Sequence, residues 1–433
     1  MNTQPAYPKS TGRRKEFDSR CCGSWKLSLP AAAILGCMIL IFGIPVIAAD
    51  MKVKTVTDFS VRGPLMVATL EFPNLVAVNR SGGEPAAART RLFPRHANTL
   101  AVTERRIPII VNRSGGEPAA ARTRLFPRHA NTLAVTERRI PIKVHIPATG
   151  GPFPIIIVSH GAGGNWDTHY AQAQHLASHG YAVLCLEHVG SNTDRLKSGI
   201  RLMHNLNKMI RDANEVLGRP RDVSFAIDRA TEWNVSNADL RGRLDTKHVG
   251  VLGHSFGAYT TMVLCGMRPA LNWLEPTVEP GKGLGPSLRD ARVTCGVALS
   301  PQGADEPFFI AESFASLSLP LMGISGTEDK QQGGLPPMNR YKAFALWPEA
   351  KGQNKFVWLA NAHHLDFTDS TGAKQQGIQS ANREDVQLIT RAATLMFFNI
   401  HLKGDTSAAA DLTTSGMQKY LRGSVNSAEV RSR

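Results

Sequence analysis

The apolar residues of this chain change their period along its length. Residues 27–49, LSLPAAAILGCMILIFGIPVIAA, form an almost unbroken apolar run. From Arg139 onward, short apolar runs alternate with longer stretches in which apolar positions recur every three or four residues. Runs such as PIIIVS, VGVLG and LPLMGIS fit strands buried on both faces, because a half-exposed strand alternates polar and apolar residues. Strands are predicted at Ile140–Ile146, Pro154–Ser159, Ala182–Glu187, His248–Gly253, Val293–Ser300, Leu319–Ser325 and Lys355–Ala360. Helices are predicted at Thr168–His179, Arg221–Trp233, Ala258–Met267 and Arg383–Leu402. This alternation predicts an α/β fold, a mostly parallel central sheet with helices on both faces. A catalytic domain is expected at 139–404, followed by a polar C-terminal tail at 405–433.

The apolar run near the start has a basic segment before it and Asp50 after it, the layout of an export signal. It is also long enough to span a bilayer. Residues 1–49 therefore read as a basic leader with an export signal or membrane anchor, and an exported location is expected. Between this leader and the catalytic domain, residues 50–138 form an extension that holds a perfect tandem repeat. Val78–Ile109 recurs without change as Val111–Ile142, and the second copy runs into the catalytic domain. Solenoids need three or more diverging units. Two identical copies fit a recent tandem duplication or an assembly error in the underlying sequence, and one copy is expected to be loosely packed and dispensable.

The formal net charge is +15, which by itself suggests nucleic acid or an anionic membrane as partner. Much of it comes from the leader and from the Arg-rich repeat, and no Lys/Arg run is interleaved with aromatics. A small-molecule or lipid ester is the expected partner, without nucleic acid; membrane association would come through the N-terminal apolar segment. Beyond the leader only Cys185, Cys265 and Cys295 remain, each in apolar surroundings, so buried free thiols are expected rather than a disulfide framework. No Cys/His spacing suggests zinc.

Gly253-His254-Ser255-Phe256-Gly257 follows the strand HVGVL and precedes the helix AYTTMVLCGM. In that setting G-x-S-x-G is a nucleophile elbow, where the flanking glycines Gly253 and Gly257 permit a turn that a Cβ would block. Ser159-His160-Gly161-Ala162-Gly163-Gly164 follows the strand PIIIV. A glycine-rich loop at that place suits an oxyanion hole, with the N–H groups of Phe256 and Ala162 as donors. His160 reads as a structural hydrogen-bonder. The order serine, acid, histidine points to the adjacent carboxylates Glu328 and Asp329, with Asp305 a distant third, and then to the pair His363 and His364. Asp329 is favoured as the acid that orients the histidine and stabilises its imidazolium. Trp166 and the stretch Gly190–Val216 are candidates for the pocket rim; the latter reads equally as an amphipathic surface helix.

LASHGYAVLCLEH, the SHGAGG loop, RPRDVSFAIDRA, LDTKHVGVLGHSFGAYT and the late His-x-x-Phe resemble the secreted platelet-activating-factor acetylhydrolase group and its bacterial relatives, often labelled predicted dienelactone hydrolases. The likeness covers about Arg139 to Gly404. It implies Ser255 as nucleophile, His364 as base through His364-Leu365-Asp366-Phe367, and an oxyanion loop beginning His160-Gly161. Polyester-degrading cutinase-like enzymes are similar around LASHG and at the acid, which again selects Asp329. The chain departs from the family in its duplicated segment and its doubled carboxylates and histidines. It has serine where dienelactone hydrolases proper use cysteine. The implied activity is ester hydrolysis through an acyl-enzyme, on short-chain or phospholipid-like esters, with no metal or organic cofactor. Alternatives are a lactone, thioester or polyester hydrolase with the same triad, or a catalytically silent exported binding protein.

Overall fold

A computed structural model describes residues 58–77, 138–304, 307–330, 334–369 and 381–433. The leader, the first repeat copy and most of the second lie outside the described residues, as does Asp305. The strands are β1 Val67–Phe72, β2 Val76–Ala77, β3 Arg138–Arg139, β4 Ile142–Pro147, β5 Phe153–Ser159, β6 Ala182–Leu186, β7 Leu244–His254, β8 Val293–Leu299, β9 Leu321–Glu328, β10 Lys355–His363 and β11 Ala428–Ser432. The helices are α1 Tyr170–Ser178, α2 Thr193–Lys197, α3 Leu202–Arg211, α4 Ala213–Ser236, α5 Phe256–Leu264, α6 Ala311–Ala315, α7 Met338–Ala343, α8 Arg383–Lys403, α9 Thr406–Asp411 and α10 Thr414–Met417.

Among the described residues, nine strands form one sheet in the order β1-β4-β6-β5-β7-β8-β9-β10-β11. From β6 to β10 the neighbours pair in parallel. The period-2 geometry of β5 shows why the strand is apolar throughout. Ile155 and Ile157 pack with Val223, Ile227 and Trp233 of α4, whereas Ile156 and Val158 share a core with Leu395 and Phe398 of α8 and Leu176 of α1. Both faces are therefore dry, as the apolar runs predicted. α8 ends at Gly404, whose φ of 68° is the left-handed conformation that closes a helix C-terminus.

The sheet reaches beyond the stretch 139–404 at both ends. β1 pairs antiparallel with β4, from Val67 opposite Pro147 to Phe72 opposite Ile142. At the other edge β11 pairs antiparallel with β10. Residues 405–433 also bury Met417, Tyr420 and Val425. The Tyr420 hydroxyl accepts from the Phe59 N–H at 3.4 Å, joining the two ends of the described chain. β1 alternates as a half-exposed edge strand does, with Ala68, Leu70 and Phe72 packed against the core. The end of the second repeat copy enters the fold as expected: Ile140 and Ile142 are buried, and Arg138 and Arg139 pair with Ala77 and Val76.

α4 is longer than predicted, starting at Ala213 behind an Asp212 cap and carrying Pro220 in its interior. Proline lacks an N–H and so strands the carbonyl four residues back. Here the Tyr259 hydroxyl of α5 donates to that Val216 carbonyl at 3.0 Å. The sequence marks Pro220 as a helix breaker; a side chain 39 positions away makes it tolerable.

No helix among the described residues is long and apolar enough to cross a membrane. Cys185, Cys265 and Cys295 are buried and free.

Candidate active site

The carboxyl ends of β5, β7, β9 and β10 carry the residues singled out by sequence. β7 runs directly into Ser255, which has φ 55° and ψ −114° and stands at the N-terminus of α5. That φ is strained for a residue with a Cβ, and such strain costs roughly 1–3 kcal/mol. The Ser255 N–H donates to Leu299 of β8 at 2.9 Å, and its carbonyl accepts from Gln302 Nε2 at 2.9 Å. Two neighbouring segments thus hold the turn. The flanking glycines fit the same geometry: a Cβ on Gly253 would strike the Gly257 carbonyl, and one on Gly257 would strike the Ser159 carbonyl.

The glycine-rich loop Ser159–Gly164 leaves β5 beside this turn. A Cβ on Gly161 would lie 3.4 Å from Ser255 Cβ. Ala162 packs against the same apolar cluster that buries Phe256. The loop is tied to the segment before α2, with Gly163 N–H donating to Ser191 at 2.8 Å and Thr193 N–H to Gly164 at 2.8 Å. His160 is fully buried. Its Nε2 accepts from the His188 backbone N–H at 3.0 Å, so the ring proton sits on Nδ1 and is donated to the Gly161 carbonyl at 2.6 Å.

Of the doubled carboxylates and histidines, Asp329 and His364 form the hydrogen-bonded pair. His364 Nδ1 lies 2.8 Å from Asp329 Oδ1. Asp329 is fully buried, and its other oxygen accepts from Ser325 at 2.7 Å and lies 3.4 Å from Arg340 Nε. Burial alone would raise this carboxyl, but Arg340, His364 and the Ser325 hydroxyl together hold it well below the usual carboxylate range. His364 begins a 3₁₀ turn, His364–Phe367, and its side chain is 30% exposed. Glu328 and His363 face each other across β9 and β10 and take no part in the Asp329–His364 bond.

His254, the residue before Ser255, couples the elbow to this pair. Its Nε2 donates to the His364 carbonyl at 2.9 Å, and the two rings lie 4.8 Å apart. Burial, then the neighbouring His364 and His169, lower the His254 imidazole well below its ordinary value. It therefore stays neutral beside any charge on His364. No hydrogen bond joins the Ser255 hydroxyl to His364 among the described contacts; such bonds tighten when substrate binds.

Sequence reasoning missed Arg340, Gln302 and the hydrogen-bonding role of His254. Each acts through a contact distant in sequence, so no local pattern announced it. Trp166 lies just past the loop with Lys143 Nζ 4.7 Å from its ring centre. In the stretch Gly190–Val216, Met209 and Val216 are buried and Ile200 and Met203 are exposed. No three His, Cys, Asp or Glu side chains gather as a metal site among the described residues.

A family model described as platelet-activating factor acetylhydrolase, isoform II, matches residues 103–196, which take in β4, β5 and the glycine-rich loop. The platelet-activating factor acetylhydrolase of Cavia porcellus is 26% identical over 252 residues, 52% of this chain and 51% of that relative. The chain thus spans about half the length of the curated relative it matches. With its mostly parallel sheet flanked by helices, the chain has an α/β fold, and these two matches make it similar to the platelet-activating factor acetylhydrolases.

Proposed function

We propose that this protein hydrolyses carboxylic esters through an acyl-enzyme on Ser255. The Asp329–His364 pair, at the same sheet edge as the strained Ser255 turn, is the observation that carries this reading. His364 takes the Ser255 proton as the hydroxyl attacks the ester carbonyl. Asp329 holds the ring with Nδ1 protonated and stabilises the imidazolium. The oxyanion of the tetrahedral intermediate sits on the Phe256 and Ala162 N–H groups, the first also at the positive end of α5. His364 returns the proton to the departing alcohol, then activates the water that releases the acid. The relative's printed name supports an acetyl or other short acyl group on a phospholipid-like ester as substrate.

Hydrolysis of p-nitrophenyl acetate, butyrate and octanoate, measured beside Ser255→Ala, tests this reading. Activity that vanishes in the variant and falls with acyl length is expected. A folded wild-type protein that turns over none of the three, and is not labelled by a fluorophosphonate, would overturn it.

A further inference from the structure

A buried arginine lies directly behind the glycine-rich loop. Arg219, on α4, is 0% exposed. Its Nη2 donates to the His160 carbonyl at 2.6 Å, and its guanidinium carbon lies 4.4 Å from the centre of the Phe256 ring. One planar group therefore touches both sides of the oxyanion pocket: the loop two residues before Ala162, and the side chain of the residue whose N–H is the other donor. Lysine, a point charge on a flexible stem, does not fill both roles.

Three further observations fit a functional rather than a merely space-filling arginine. Among the described residues its Nε and Nη1 have no hydrogen-bond partner, a costly state for a buried cation. Its place on α4 is registered to the nucleophile's own helix, because Tyr259 of α5 bonds the carbonyl that Pro220 strands. Two carboxylates that bind Arg138 lie close to Arg219. Arg138 Nε lies 2.7 Å from Asp222 and Arg138 Nη1 lies 2.5 Å from Glu215. Glu215 and Asp222 also act to keep the Arg219 guanidinium charged against the effect of burial.

We propose that Arg219 is a positioning residue for the oxyanion pocket: its guanidinium fixes the His160–Gly161 peptide against the Phe256 ring, so that the Ala162 and Phe256 N–H groups converge on the developing oxyanion. The inference rests on the esterase reading above, and it predicts an effect on the transition state rather than on substrate binding.

The test compares wild type, Arg219→Gln and Arg219→Lys as full chains with p-nitrophenyl butyrate, together with inhibition by a butyl trifluoromethyl ketone, which forms the tetrahedral anion. Arg219→Gln should lose about 10²-fold in kcat, the scale of one oxyanion donor, with KM nearly unchanged and ketone affinity weakened by a similar factor. Arg219→Lys should lose about tenfold with the same signature. If Arg219→Gln does not fold, Arg219→Lys alone decides: wild-type kcat and ketone affinity in that folded variant overturn the proposal. So does a rise in KM at constant kcat, or a loss of kcat with ketone affinity intact. A wild-type enzyme inert toward both ester and ketone would overturn the esterase reading itself, and this inference with it.

Discussion

Two Ser–His–Asp sets stand within this one fold. The first is Ser255, His364 and Asp329. The second is Ser159, His188 and Asp222, in which Ser159 Oγ lies 2.9 Å from His188 Nε2 and His188 Nδ1 lies 2.7 Å from Asp222. On hydrogen-bond lengths alone the second is the more complete relay. It is fully buried, however, and Ser159 ends an ordinary strand. Asp222 is already engaged by the Arg138 guanidinium through both carboxylate oxygens. Burial, then Arg219 and Arg138, drive the His188 imidazole well below its ordinary value, so the ring has no means of holding a proton from serine. In the first set the histidine is part-exposed, and the serine sits on a strained turn at a helix N-terminus beside a loop with spare N–H groups. Hydrogen-bonded Ser, His and Asp do not make a nucleophile; access for substrate and a place for the new charge do.

The largest expected contrast is between the serines. Ser255→Ala should reduce kcat on p-nitrophenyl butyrate by about 10⁶-fold, while Ser159→Ala keeps activity near wild type and loses about 1–3 kcal/mol of stability from the unmade buried bond. Comparable losses of activity in both would break the distinction. Next come the acids. Asp329→Asn should cost about 10⁴-fold in kcat through the wrong histidine tautomer. Asp222→Asn should act chiefly on folding, lowering the unfolding free energy by about 1–3 kcal/mol because it removes one of the two carboxylates that hold Arg138; urea melts of the two variants separate the effects.

Acid should act on the buried imidazoles first and on the buried Asp329 carboxylate later. Burial lowers the His169 imidazole to about 4 and His145 likewise. In the unfolded chain these rings titrate near 6.5, so between about pH 6.5 and 4 the unfolded state binds more protons. Their contribution is complete above about pH 6.5 and is lost as the pH falls, for His169 by about 3 kcal/mol at pH 4. Asp329, held below its ordinary value, contributes above about pH 4 and its share is lost only in stronger acid. Urea denaturation at pH 7.5, 5.5 and 4.5 should show that order; a flat profile down to pH 4.5 would contradict it. The smallest effect concerns the turn. Ser255→Gly should abolish turnover yet raise stability by about 1 kcal/mol, since glycine relieves the positive φ.

Much of this molecule was legible in its sequence, for reasons that are local. The parallel strands were visible because burial on both faces forces unbroken apolar runs, and Gly253 and Gly257 marked the turn because only glycine avoids the neighbouring carbonyls. The strand ends located the loop, the acids and the histidines. Where two candidates stood side by side, Asp329 with Glu328 and His364 with His363, the sequence alone offered no physical ground for choosing. Successive residues at a strand end point to opposite sides, and only the assembled sheet decides which one meets its partner.

The chain's own pattern therefore determined the fold class, the G-x-S-x-G turn and the chain order of the candidate triad. Tertiary structure decided the rest: the pairing of the edge strands β1 and β11, the helix that runs through Pro220, the half-buried Arg138 and buried Arg219 and Arg340, and which serine is part-exposed. These depend on contacts between residues far apart in sequence. Burial and pairing energies belong to such contacts, and no local periodicity encodes them.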